Sequence, residues 1–124
     1  MMIACMQILR DTGLWYSAEY STFSISDEVG KYRLTVAGYS GDSGDAITAT
    51  PNPNQISNGM KFSTRDSDND AHPTQHCAGL WGRGWWDANP CSGSCVNSDP
   101  KAKWAFGTFT SFDVVTTRML VKSN

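Results

Sequence analysis

The sequence predicts an α+β domain built mainly from short antiparallel strands and long loops. Three observations lead there. Polar and apolar residues alternate with a period of two through the first third of the chain, the pattern of strands with one buried face. The middle, from Gly38 to Asp99, is crowded with Gly, Asp, Asn, Ser and Pro, residues that build turns. The last segment returns to a β-branched run.

A length of 124 residues suits one domain. Hydrophobic residues make up 40% and charged residues 18%, a globular rather than a disordered balance. The net charge is -2 and the lysines and arginines are scattered. A nucleic-acid groove needs a clustered basic face, and the pair Lys101 and Lys103 is too small to make one. No apolar run reaches the length of a membrane span.

The elements follow in chain order. "MMIACMQILR" has no basic residue ahead of its apolar part, so it reads as a buried strand rather than a leader. In "YSAEYSTFSI", Tyr16, Ala18 and Tyr20 share one parity, and Phe23 and Ile25 share the other. "DEVGK" is a turn. In "KYRLTV", Tyr32, Leu34 and Val36 alternate with Lys31, Arg33 and Thr35, a second half-buried strand. "SGDSGDAITA" has room for one short helix capped by Ser43 or Asp45, and "TPNPNQISNG" is a loop. "FDVVTTRMLVK" is the last strand. So long a turn-rich middle is unusual in a compact domain, and it points to a binding region held by metal or disulfides.

Within that middle lies "DSDNDAHP". Calcium takes six to eight hard oxygen ligands, and Asp66, Asp68 and Asp70 offer carboxylates at alternating positions. The spacing imitates the start of an EF-hand loop, but Ala71 stands where Gly is needed and Cys77 where the bidentate Glu belongs. The residues alone leave two readings open, a metal site and a solvated Asp/Asn turn.

Four cysteines, Cys5, Cys77, Cys91 and Cys95, favour a disulfide framework and an oxidising compartment. A Cys77–Cys91 bridge would close a loop of about fifteen residues, worth roughly 3 kcal/mol. The rival chemistry is zinc on His72, His76, Cys77, Cys91 and Cys95, but their spacing matches no standard finger. Trp85 and Trp86 are adjacent. In a strand one can be core while the other lines a pocket, and packing of both under the loop fits equally well. Trp15, Trp81 and Trp104 read as core or cover. No G-x-S-x-G, phosphate loop or H-E-x-x-H occurs, so no enzyme is expected.

Taken together, "YSTFSISDEVGKYRLTVAGYSGDSGDA", "NGMKFSTRDSDND", "CAGLWGRGWWDANPC" and "TTRMLV" follow in an order that resembles the fibrinogen C-terminal domain family. The resemblance runs from about Met6 to Lys122. It implies a secreted, non-enzymatic recognition domain with long loops stabilised by calcium and a disulfide. Carried over, Asp68 and Asp70 are side-chain calcium ligands, His72 and Thr74 are carbonyl donors, and Asp66 is peripheral. The family disulfide maps onto Cys77 and Cys91, and ligand contacts onto Trp85, Trp86, Asn89 and Cys91.

Three departures stand out. Residues 1–124 match a partial domain lacking the family's N-terminal subdomain, so Cys5 has no family partner. The segment "CSGSCVNSDPKAKW" lacks the family's L-N-G-x-Y element, and Pro90 precedes Cys91. Cys95 is extra, paired with Cys5 or with nothing. The resemblance implies an extracellular calcium-stabilised module of lectin type, binding acetylated glycans or similar ligands in innate immunity. The alternatives are a signalling or matrix domain that binds protein without sugar, and a truncated, non-functional copy. Neither nucleic acid nor membrane insertion is expected, and oligomers would form through a region upstream.

Overall fold

The computed structural model describes residues 2–49, 56–70, 74, 76–81, 84–88, 102–105 and 111–123. Strands dominate: β1 (Met2–Arg10), β2 (Trp15–Ile25), β3 (Leu34–Gly41), β4 (Phe62–Ser63), β5 (Trp85–Trp86), β6 (Ala102–Ala105) and β7 (Ser111–Ser123). The helical share among the described residues is α1 (Cys77–Trp81), five residues long. That helix is not long or apolar enough to cross a membrane. A five-stranded antiparallel sheet has the order β3-β2-β1-β7-β6, and β4 and β5 form a second, two-stranded ladder.

The N-terminal apolar run lies at the centre of the main sheet. Met6 of β1 faces Ala18 on one side and Met119 on the other. Alternation then buries Ala4, Met6 and Ile8 on one face. The β1–β2 hairpin closes through Gly13, whose N–H donates to the Arg10 carbonyl at 2.9 Å with φ of 87°.

The parity switch inside β2 has a structural cause. Ala4 faces Tyr20, whereas Met2 faces Phe23, so β2 spends one extra residue against β1. This is a β-bulge, and it brings both Tyr20 and Phe23 onto the core face. Pairing with β3 stays in register across the switch, with Tyr20 opposite Tyr39 and Phe23 opposite Val36. β3 must therefore switch too, and it does so at Gly38, which has φ of 74°. A Cβ there would overlap the Ser21 hydroxyl. At Gly41, φ is 136° and a Cβ would overlap the Ser17 carbonyl oxygen. A hydroxyl can rotate away and a strand carbonyl cannot. Gly41→Ala is accordingly expected to cost more than Gly38→Ala, about 3 kcal/mol against 1–2. Adding Ser21→Ala should recover part of the Gly38→Ala loss only. Urea melts of the four variants check this ordering.

The core face is covered from the turn-rich side. Ala46, Ile47, Trp85, Trp86 and Trp104 pack with Ala4, Met6, Ile8, Ala18, Tyr20, Phe23, Leu34 and Val36 in one buried cluster. Trp104 is fully buried, and its indole N–H donates to the Gly44 carbonyl at 3.0 Å. The short helix expected near Asp45 is instead a turn over residues 46–48. Asp45 still acts as its cap, accepting from the Ile47 and Thr48 N–H groups at 3.2 and 3.0 Å and from the Thr48 hydroxyl. The Tyr20 phenol also donates to Asp45, at 2.8 Å. Burial, with the Asp45 carboxylate adding to it, pushes the Tyr20 hydroxyl well above its usual range and keeps it a neutral donor.

Trp15 departs from the expectation of core or cover. It stands on the other face of the sheet, 49% exposed, with the Arg118 guanidinium over its ring at 5.8 Å from the centroid. The side chain of Trp81 lies outside the described residues. So do three of the residues on which the zinc reading depended, His72, Cys91 and Cys95.

Candidate recognition site

The turn-rich half is fastened along the free edge of β3. The Leu34 N–H donates to the Met60 carbonyl at 3.0 Å, the Gly59 N–H to the Leu34 carbonyl at 2.9 Å, and the Val36 N–H to Asn58 Oδ1 at 2.9 Å. Arg33 adds a guanidinium bond to the Gly59 carbonyl at 2.6 Å. The chain then enters β4, where Phe62 pairs with Trp86 and Ser63 with Trp85.

That ladder decides the fate of the two tryptophans. Trp85 is 2% exposed and Trp86 9% exposed. Their indole N–H groups are used internally, Trp85 on the Ser57 hydroxyl at 3.0 Å and Trp86 on the Tyr32 carbonyl at 2.9 Å. The Phe62 ring meets Trp86 edge-on, with centroids 5.1 Å apart. Both indoles are core groups, so neither offers a ring face to a ligand. The Trp86 bond also holds a strained turn, since Lys31 and Tyr32 sit at φ of 59° and 54°. The adjoining Asp87 is wholly buried, a placement that nothing in its flanking residues signals.

The acidic loop leaves β4 through a tight turn. The Thr64 N–H donates to the Ser67 carbonyl and the Ser67 N–H to the Thr64 carbonyl, at 3.0 and 3.1 Å. Asn69 is turned back onto β4. Its backbone N–H donates to Ser63 Oγ at 2.8 Å, and its side-chain amide donates to the Phe62 carbonyl at 3.1 Å. Asp66 accepts from the Thr64 hydroxyl at 2.7 Å, which holds its carboxyl below the usual range. It is an exposed member of the turn. Asp68 is exposed and accepts a 3.3 Å bond from the Asp70 N–H.

Asp70 has a second task. Its Oδ2 accepts from the Cys77 N–H at 2.8 Å and so caps α1 from seven residues away. His76, just before the helix, meets the Thr64 carbonyl through Nε2 at 2.8 Å. A carbonyl only accepts, so that nitrogen carries a proton and is not a metal ligand. Loop and helix are thus tied together at two points. Cys77 is fully buried and disulfide-bonded. Its sulfur is therefore no thiolate, which removes it from the zinc reading. Cys5 is free, so it does not pair with Cys95, and the partner of Cys77 is Cys91 or Cys95.

The match to known proteins follows this geometry. Residues 3–117 match the family model for the fibrinogen beta and gamma chains, C-terminal globular domain. The chain belongs to this family. The fibrinogen-like chain is 37% identical over 90 residues to a techylectin-like protein of Phoneutria nigriventer, spanning 73% of this chain and 37% of that one. It is 34% identical over 116 residues to the fibrinogen beta chain of Petromyzon marinus, spanning 82% of this chain and 23% of that one. The fibrinogen-like globe domain of human ANGPTL2 superposes with a TM-score of 0.80 at 25% identity, over 99% of this chain and 58% of that one. The chain thus spans less than two thirds of the length of each of these relatives.

For a fibrinogen-like chain the question is whether the acidic loop fits calcium. Asp68 and Asp70 are hard oxygen donors on one short segment, while Asn69 between them is committed to β4. The bond from Cys77 reaches Asp70 Oδ2, one of the two carboxylate oxygens. Among the described residues no group of three or more His, Cys, Asp or Glu side chains could hold a metal. The remaining donors would have to be backbone carbonyls and water, a mixture calcium accepts and structural zinc does not. Thr74 is exposed. His72, Asn89 and Cys91 lie outside the described residues.

Proposed function

We propose that this fibrinogen-like domain is an extracellular, non-catalytic recognition module of lectin type, stabilised by one calcium ion. Asp68 and Asp70 would hold the ion with the carbonyls of His72 and Thr74, and Asn89 and Cys91 would contact an acetylated glycan. Calcium would neutralise the paired carboxylates and fix the loop. The observation that carries this reading is the Asp70 carboxylate, which joins the acidic loop to the helix bearing the Cys77 disulfide. An ion bound there would brace the segment leading to Asn89 and Cys91. The Cys77–Cys91 pairing belongs to the same proposal. The techylectin-like relative supports the lectin type.

A second reading is a protein-binding domain. The lamprey fibrin D-dimer, which shares this fold with a TM-score of 0.80, was solved with the peptide Gly-His-Arg-Pro-amide. Chromatography on immobilised N-acetylglucosamine separates the two readings. The lectin reading expects retention that free N-acetylglucosamine reverses and that Asp70→Asn weakens at least tenfold. No retention, or elution indifferent to the free sugar, favours a protein ligand.

A further inference from the structure

The opposite face of the main sheet carries a feature unrelated to the acidic loop. Gln7 of β1 faces Ser17 of β2 on one side and Arg118 of β7 on the other. Asp42 follows β3 directly, and its Oδ1 accepts from the Ser17 N–H at 2.7 Å. The Asp42 N–H in turn donates to the Ser17 carbonyl at 3.1 Å, which extends the β2–β3 ladder by one position. A single row therefore crosses four strands in the order Asp42, Ser17, Gln7, Arg118. Three inter-strand spacings make it roughly 14 Å long. These four residues, with Trp15 and Tyr16, line an open cavity of about 430 Å³.

We propose that this row is a second, independent binding site, and that it takes a neutral oligosaccharide. The chemistry favours that class over others. One end of the row is an anion that accepts and the other a cation that donates, so neither a polyanion nor a polycation gains along its length. Between them lie a hydroxyl and an amide, each able to donate and accept, which suits the mixed hydroxyls of a sugar ring. Trp15 stands beside the row, half exposed, and supplies an apolar ring face against which a sugar's C–H face packs. The Arg118 guanidinium lies over that ring, so a sugar stacking on the same face would displace it sideways, where its N–H groups meet the sugar's hydroxyls. The site uses no residue of the acidic loop.

The test is nuclear magnetic resonance titration of the full ¹⁵N-labelled chain with maltotriose, triacetylchitotriose and, as the anionic comparison, glucuronate. Saturable shifts of the Trp15 indole N–H and the Gln7 side-chain amide are expected with a neutral trisaccharide at millimolar concentration. Trp15→Ala should abolish the shift of the Gln7 side-chain amide, and Gln7→Met, which keeps the side-chain volume, should weaken binding at least fivefold as read from the Trp15 indole N–H. Asp68→Asn with Asp70→Asn should leave both shifts unchanged, so this site stands or falls separately from the proposed calcium loop. No saturable shift with either trisaccharide overturns the proposal. So does binding of glucuronate alone, or binding that survives both Trp15→Ala and Gln7→Met.

Discussion

Replacing Trp104 by alanine is expected to cost about 3–5 kcal/mol, enough to leave a domain of this size largely unfolded near body temperature. Trp104 is fully exposed to the core and to nothing else, being 0% solvent-accessible on a four-residue strand at the end of the main sheet. Its ring fills the interior together with Ile8, Tyr20 and Ile47, and alanine would leave a void that the strands cannot close. Its N–H also satisfies the Gly44 carbonyl, beside the turn that Asp45 caps. Trp104→Phe retains most of the packing and removes one of two donors to that carbonyl, since the Ser43 hydroxyl still donates to it at 3.0 Å, so its cost should be smaller, roughly 1–2 kcal/mol. Trp15→Ala, by contrast, removes a half-exposed ring and should cost under about 1 kcal/mol. Urea unfolding followed by circular dichroism ranks the three, and equal costs for Trp104→Ala and Trp15→Ala would contradict the assignment of Trp104 to the core.

Loss of the Cys77 disulfide is expected to be the next largest effect. Cys77→Ser should cost roughly 3 kcal/mol through the freed loop. The buried serine hydroxyl adds a smaller penalty, because Cys77 has no solvent exposure. Cys91→Ser should match it under the proposed pairing, and Cys95→Ser should cost almost nothing. The reverse result would assign the bridge to Cys95. Cys5→Ser should be close to neutral, since Cys5 is free and only partly buried. Burial, with Glu19 adding to it, raises the Cys5 thiol pKa, so this cysteine is a poor thiolate and should react slowly with alkylating agents. Thiol titration of the unfolded, unreduced chain should return two thiols, Cys5 and one other.

Much of the main sheet was legible because its signals are local. The apolar run of β1 marked a buried strand, and the change of parity between Tyr20 and Phe23 was visible in the residues, although only the pairing shows it to be a bulge. The β-branched run at the C-terminus marked β7. The order of the acidic loop, the cysteines and the paired tryptophans identified the family. What escaped depends on contacts distant in sequence. Helix α1 has no cap in its own flanking residues, because its acceptor is the Asp70 carboxylate. Whether one of Trp85 and Trp86 lines a pocket or both pack inside stayed open in the sequence, and the pairing with β4, more than twenty residues earlier, buries both rings. Trp15 looked like core because alternation tells which residues share a face but not which face is covered. The row of Asp42, Ser17, Gln7 and Arg118 comes from four separate strands or strand ends, and only their pairing brings it together.

As a calcium site, the acidic loop would brace the recognition half of the domain. Thermal unfolding with millimolar calcium, compared with chelator, tests it most directly. A ligand bound only by the folded chain stabilises by about 2.7 kcal/mol at a hundredfold excess over its Kd. For a chain of this length that is a rise in Tm of roughly 10 °C. The rise should vanish in Asp68→Asn and in Asp70→Asn and persist in Asp66→Asn, whose carboxylate belongs to the Thr64 turn. An unchanged Tm in the wild-type chain, or a full rise that survives Asp68→Asn and Asp70→Asn together, would contradict it.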